Sequence, residues 1–243
     1  MELKIYRQEK KLIGTIVNVG TICIGSIIGS IVKKGIKEKY RNVLFTAMGL
    51  AATALGINAV VSHMPDSNYP VLFIVSLAIG GILGTMIDID SRFQKLVSKY
   101  SNGNLGEGLA TGILLYCIGT LSILGPVMSA LYGDHTYLFT NATLDLVTSM
   151  VLASTYGIGM ILAAPVLFLW QGTFYLLAKY VCTAFFAGDI LNDLITELSI
   201  VGGILIAASG INILKIKDCQ TLNLLPALLV PIIFFAVKGI FGF

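Results

Sequence analysis

Charge is what this sequence has least of. Only 12% of its 243 residues are Asp, Glu, Lys or Arg, where a soluble domain carries about a quarter. With 56% hydrophobic residues, the chain has too little polar surface to coat a water-soluble globule, which excludes soluble enzymes and binding domains. Histidine is almost missing: the two present, His63 and His135, fall in expected loops. No HExxH, P-loop or zinc-ligand cluster occurs, so no metal and no cofactor is expected. The four cysteines, Cys23, Cys117, Cys182 and Cys219, form no CxxC; most lie in apolar runs and read as small buried hydrophobes. The net charge of +3 is small, and the basic residues sit at the ends of apolar runs. They act as topology signals and imply no nucleic-acid partner.

What the sequence has instead is long apolar runs. A helix needs about 20 apolar residues to cross a bilayer. About eight segments qualify: 12–32, 42–62, 70–88, 107–131, 143–163, 165–187, 196–216 and 222–242. Seven remain if the fifth and sixth, which abut at Pro165, are one kinked element. The expected fold is an all-α polytopic membrane bundle, a single transmembrane domain over 1–243 with a basic tail at 1–11. The first segment follows Lys10-Lys11 like a signal peptide, but it lacks a small-residue cleavage site and is read as retained.

Lys and Arg gather in the loops after segments 1, 3 and 7: Lys33, Lys34, Lys37, Lys39 and Arg41, then Arg92, Lys95 and Lys99, then Lys215 and Lys217. These loops are expected on the cytoplasmic side of a bacterial inner membrane, with both termini outside. The tail, with Lys4, Arg7, Lys10 and Lys11, pulls the other way. An internal repeat is also expected. AMGLAATALGINAV (47–60) lies over VGGILIAASGINIL (201–214), within units 12–88 and 165–243. The units start an odd number of crossings apart, so they would be inverted, a transporter pattern.

Several polar residues stand inside the apolar runs. In LDLVTSMVLASTYGIG, Asp145, Thr148, Ser149, Thr155, Tyr156 and Gly159 share one helical face. Lipid cannot satisfy such a face, so it must look at protein or water. Asp145 reads either as a helix-start carboxylate satisfying free N–H groups or as an ion or proton site. In GTIVNVGTICIGSIIG, Asn18 lies in a stripe with Gly14, Gly25 and Gly29, and is either interhelical glue or a substrate contact. Gly25 and Gly29, Gly80 and Gly84, and Gly157 and Gly159 are expected packing positions, serving a tight monomer core or a homodimer. In DILNDLITELS, Asp189, Asp193 and Glu197 share a stripe: helix-start acids, or an acidic vestibule that concentrates cations. The expected substrate or ion site is Asn18, Asp145, Ser149, Thr155 and Gln171.

At GTIVNVGTICIGSIIG, GDHTYLFTNATLD, ASTYGIG, PVLFLWQG and ELSIVGGILI, the chain resembles the domain-of-unknown-function 554 family, YqgA-like bacterial multi-pass membrane proteins. The resemblance covers nearly the whole chain beyond the tail. It implies attention to Asn18, Gly133, Asp134, Asp145, Ser154, Thr155, Gly157, Gly159, Pro165, Gln171 and Gly172, and a transport role without an assigned substrate. The sequence departs from the family pattern in its basic tail, at Asn141 in place of a Lys, and at Trp170 in place of a Tyr. A missing Lys would alter the electrostatics around Asp145.

The leading expectation is a secondary transporter or channel for a small solute or ion. The alternative is a non-transporting membrane scaffold whose polar residues pair helix to helix. An intramembrane enzyme is not expected: there is no GxGD pair and no Ser-His pair at membrane depth.

Overall fold

The computed structural model describes residues 12–32, 37–92, 95, 105, 109, 112–113, 115–117, 120–182 and 189–241. Among these residues there is no strand. The main helices are α1 (Ile13–Ile31), α2 (Glu38–His63), α3 (Leu72–Ile87), α4 (Thr120–Tyr132), α5 (Thr136–Tyr156), α6 (Ala163–Leu177) and α7 (Asp189–Ile213), followed by the short α8 (Thr221–Leu224) and α9 (Leu229–Phe241). Five helical stretches are long and apolar enough to cross a membrane: Ile13–Ile31, Glu38–Asp66, Ile158–Tyr180, Ile190–Ile213 and Thr221–Gly239. Leu72–Ile87 and Leu121–Tyr132 are shorter apolar helices. The basic tail, Lys33, Lys34, Lys99 and Glu107 lie outside the described residues.

Large apolar side chains point outward around the bundle, among them Ile31, Ile82, Met86 and Leu169. In water that surface would be costly; in lipid it is the expected finish. The inner core is built on α7, whose Leu194, Leu198, Val201 and Leu205 pack with Ile123, Leu228 and Phe235.

Glycines set the helix crossings. A Cβ on Gly29 would lie 2.3 Å from the Met150 carbonyl oxygen, and one on Gly25 2.5 Å from that of Leu146. Gly14 meets Leu138, so contacts on α1 and α5 advance together and the two helices run parallel. On α2 and α7 the order reverses. A Cβ on Gly56 would fall 2.5 Å from the Gly203 oxygen and 2.3 Å from Ala207 N. One on Gly210 would fall 2.7 Å from the Gly49 oxygen and 2.5 Å from Thr53 N. The stretch 221–241 is likewise antiparallel to α3: Gly84 abuts Asn223, Gly80 abuts Ala227, and Tyr69 meets Phe234 and Phe235. These contacts gather the start of α2 and the ends of α3 and α7 at one end of the bundle. Lys37, Lys39, Arg92, Lys215 and Lys217 are all at that end.

Boundaries differ from the sequence expectation at the seventh segment, expected from 196 but helical from Asp189, and at both ends of the fifth. The fifth segment, expected over 143–163, is helical from Thr136 and ends at Tyr156. Asp134 Oδ1 accepts the Thr136 N–H at 2.8 Å, so the carboxylate that serves the helix start is Asp134. Gly157 then adopts φ +89 and its N–H reaches the Ala153 oxygen at 2.9 Å, a glycine helix stop. The fifth and sixth segments are therefore separated by a break at Gly157, ahead of Pro165. Pro165 falls in the first turn of α6, where no helical N–H is needed.

Candidate functional site

Asp145 lies mid-helix in α5, not at a helix start, and is 3% exposed. That corrects the capping alternative: at this position no free N–H groups of the first turn are within reach. One helical turn earlier, Asn141 Nδ2 donates to Asp145 Oδ2 at 2.9 Å. Asn18, fully buried on α1, faces the same carboxylate and acts on it electrostatically. Its Nδ2 nevertheless makes no hydrogen bond of normal geometry. The close glycine contacts of α1 and α5 are what press Asn18 against this part of α5. Ser149, one turn further along and fully buried, pairs with Tyr116 Oη at 2.8 Å.

The site has a polar seam and a cavity. Along α1, Thr15 Oγ1, Asn18 Nδ2 and Ser26 Oγ are buried without a hydrogen-bond partner. Buried polar groups are normally satisfied, and each orphan costs about 1–3 kcal/mol. On the other flank of Asp145 lies a cavity of about 90 Å³. It is lined by Met48 and Ala52 of α2, Asn141, Asp145 and Thr148 of α5, and Ser209 of α7. Phe45 and Ile213 line its far end, toward the basic loops. Among the described residues no cation pairs with Asp145.

The expected site residues do not all meet. Asn18, Asp145 and Ser149 come together at the α1/α5 contact. Gln171 is fully buried on α6, where its Nε2 donates to Ser122 Oγ at 3.1 Å and its Oε1 is unpartnered; it does not line the Asp145 cavity. Thr155 is exposed near the end of α5, because the buried face narrows after Ser149 and the helix stops two residues on. Among the expected packing glycines, Gly25, Gly29, Gly80 and Gly84 are pressed against neighbouring helices, and Gly159 against Leu105. Gly157 has open space around it and is a stop, not a packing contact. The four stripe glycines are thus used within one chain.

Asn141 and Tyr116 are not among the expected site residues. Asn141 carries a signal in its four-residue spacing to Asp145. Nothing in the sequence marks Tyr116, which comes from a distant segment. A larger cleft of about 480 Å³, between α4, α6, α7 and residues 225–232, is lined by apolar side chains such as Ile123, Phe174, Leu198 and Leu228. None of the expected polar residues lines it.

The chain is 58% identical over 231 residues to the uncharacterized membrane protein YdfK of Bacillus subtilis, covering 95% of this chain and 99% of the relative. It is 25% identical over 229 residues to the uncharacterized protein YqgA of Escherichia coli, covering 90% and 94%. No solved structure matches. The family model described as "Protein of unknown function (DUF554)" matches residues 13–236. The chain, a helical membrane protein with a carboxylate sealed inside its bundle, belongs to the DUF554 family.

Proposed function

We propose that this protein is a secondary transporter or channel that carries a small solute or ion across the bacterial cytoplasmic membrane, with Asp145 as the group that binds a cation or proton. The observation that carries the reading is Asp145 itself: a carboxylate 3% exposed, facing a cavity, with amides and no cation beside it. Insertion scales charge about 2.5–3.5 kcal/mol for an Asp at the membrane centre, and ionisable groups held at such depth usually serve ions or protons. The orphaned polar atoms of Thr15, Asn18 and Ser26 extend the polar surface along α1. A scaffold would need no such unsatisfied seam.

The proposed chain crosses the membrane eight times, with the basic loops in the cytoplasm and both termini outside. It is built from inverted units over 12–88 and 165–243. Support comes from paired contacts. Matching 47–60 with 201–214 carries Gly56·Gly203 onto Gly210·Gly49, and Gly56·Ala207 onto Gly210·Thr53, and each of these is a close contact. The same offset carries Gly84·Asn223 onto Lys238·Tyr69, also a contact. Such pairing is what a pseudo-two-fold axis in the membrane plane would produce. The Asp145 cavity borders this α2/α7 crossing, where rocking of one unit against the other would change its access.

The test is flux in proteoliposomes screened with protons, alkali cations and small solutes, using wild type and Asp145→Asn. The Asn side chain can still accept from Asn141, so the variant should fold with nearly unchanged melting temperature. Flux should be lost. A folded Asp145→Asn protein with full flux would overturn Asp145 as the binding group.

A further inference from the structure

The apolar cleft of about 480 Å³ takes no part in the Asp145 site. Its size falls within the roughly 300–1,000 Å³ of small-molecule pockets. It is a trough with a floor and a rim. Ile123 and Leu124 of α4, Leu198 of α7 and Leu228 make a buried floor, while Leu177 of α6 and Leu229 stand at the rim, 51% and 55% exposed. Its long axis follows the helices. On α6 the lining recurs as Trp170, Phe174 and Ala178, a stripe about 12 Å long at 1.5 Å per residue. Ala178 packs with Ala130 and Tyr175 at the end away from the basic loops, and Ile89 and Leu225 line the end beside them. The described lining has no charged side chain and no hydroxyl. A polar solute finds nothing to bind there, and water does not fill so apolar a space. With its rim open at bilayer depth, the trough faces hydrocarbon chains, whose contacts replace the dispersion that an empty trough forgoes.

Charge distinguishes the two ends of the trough. Residues 89–92 form one helical turn, in which the Arg92 N–H donates to the Asp88 carbonyl at 3.0 Å. The exposed Arg92 therefore stands on the face of the lining Ile89, three residues on. The Asp90 N–H donates to Asn223 Oδ1 at 3.0 Å, which fixes this turn beside the wall formed by 225–232. Among the described residues of this end, Lys37, Lys39, Arg41, Arg92, Lys95, Lys215 and Lys217 outnumber Glu38, Asp88, Asp90 and Asp218. At the other end the balance reverses: Asp66, Asp134, Asp189, Asp193 and Glu197 outnumber Lys179 and Lys238. Lys179 follows the lining Ala178, but its ammonium lies 5.5 Å over the Tyr180 ring. An anionic group is thus favoured at the Arg92 end and opposed at the other.

We propose that this cleft binds one acyl chain of an anionic phospholipid from the leaflet that meets the basic loops, with the headgroup phosphate at Arg92. The guanidinium fork matches phosphate oxygens two at a time. The chain alone gains little over bulk lipid, because both surroundings are hydrocarbon. The headgroup therefore supplies the preference, through attraction of anionic lipid to a basic membrane-facing rim. The bound chain fills the gap between α6 and the stretch 225–232. The proposal draws on neither Asp145 nor transport.

Trp170 is the chain's one tryptophan and it lines the cleft, so its fluorescence reports the occupant directly. The test reconstitutes the protein in phosphatidylcholine vesicles that contain increasing mole fractions of phosphatidylglycerol or phosphatidylcholine with brominated, quenching acyl chains. Brominated phosphatidylglycerol should reach half-quenching at a several-fold lower mole fraction than brominated phosphatidylcholine. Coincident curves would overturn the proposal. Arg92→Gln should bring the phosphatidylglycerol curve onto the other. Lys39→Gln removes the same charge from the same end, on a helix that does not line the cleft, and should leave the preference intact. Equal losses in the two variants would assign the preference to diffuse surface charge and overturn the Arg92 site. Leu229→Phe narrows the trough from its exposed rim and should abolish the advantage of phosphatidylglycerol; if it fails to fold, Val127→Phe narrows it from the α4 side. An advantage that survives the narrowing places the lipid outside the cleft and overturns the proposal. So does a Trp170 that neither lipid quenches, the sign that a second copy covers the trough.

Discussion

The α1/α5 and α2/α7 contacts are both made possible by glycines, yet they bring together different things. At α2/α7, Gly49, Gly56, Gly203 and Gly210 let backbone approach backbone, and the hydroxyls of Thr53 and Ser209 are satisfied within their own helices, by the Gly49 carbonyl at 2.8 Å and the Leu205 carbonyl at 3.0 Å. At α1/α5 backbone also approaches backbone, Gly25 at the Leu146 oxygen and Gly29 at the Met150 oxygen, and Asn18, between Gly14 and Gly25, is set against Asp145. The first contact leaves neither hydroxyl without a partner. The second leaves Thr15, Asn18 and Ser26 with orphaned polar atoms. A small-residue stripe is therefore a packing device in both places, and function has to be sought in what lies between the glycines.

The largest break in this comparison should come from the glycines themselves. Gly29→Ala sets a methyl 2.3 Å from the Met150 carbonyl oxygen, and Gly56→Ala sets one 2.3 Å from Ala207 N. Backbone cannot step aside as a flexible side chain can, so each should cost at least the 1–3 kcal/mol or so typical of overpacking. Gly20→Ala, with nothing within 4 Å, is the control and should be neutral or slightly stabilising through helix propensity. Melting temperature in detergent checks all three. Equal effects at Gly20 and Gly29 would mean that the α1/α5 approach is not close.

A middle-sized effect separates Gln171 from the Asp145 site. Gln171→Leu removes the bond to Ser122 and leaves that hydroxyl unpaired, a loss of about 1–3 kcal/mol, with flux preserved. Flux lost at unchanged stability would put Gln171 on the transport path. The smallest effect is expected for Thr155→Val. The side chain is exposed, so stability should stay within about 0.5 kcal/mol and flux should not change. A strong flux defect there would return the whole length of the α5 face to the site.

Much of the fold is legible in the residues themselves. Long apolar runs mark the helices because hydropathy is local, and the expected boundaries fall within a few residues of Ile13–Ile31, Leu72–Ile87 and Thr221–Phe241. One exception is α7, which begins at Asp189 and not near 196; the other is α5. Its first turns, TYLFTNATL, carry four polar residues, so hydropathy alone sets the helix start too late. Asp145 then reads as a cap when it is the tenth residue of a 21-residue helix. Gly157 reads as packing because spacing alone does not reveal a positive φ.

The sequence by itself determined that the chain is helical and membrane-embedded, which residues are small enough for helices to touch, and that Asn18, Asp145 and Ser149 must be sheltered from lipid. These follow from composition and a 100° periodicity, which each segment carries alone. Only the tertiary structure decided which polar groups meet. Asp145 found Asn141 and Asn18, Gln171 found Ser122, Ser149 found Tyr116, Thr155 turned outward, and Glu197 was sealed beneath Ser67. The reason is that a helix's rotation and depth are set by its neighbours. A slight turn about the axis moves a side chain from lipid to cavity without changing any local signal.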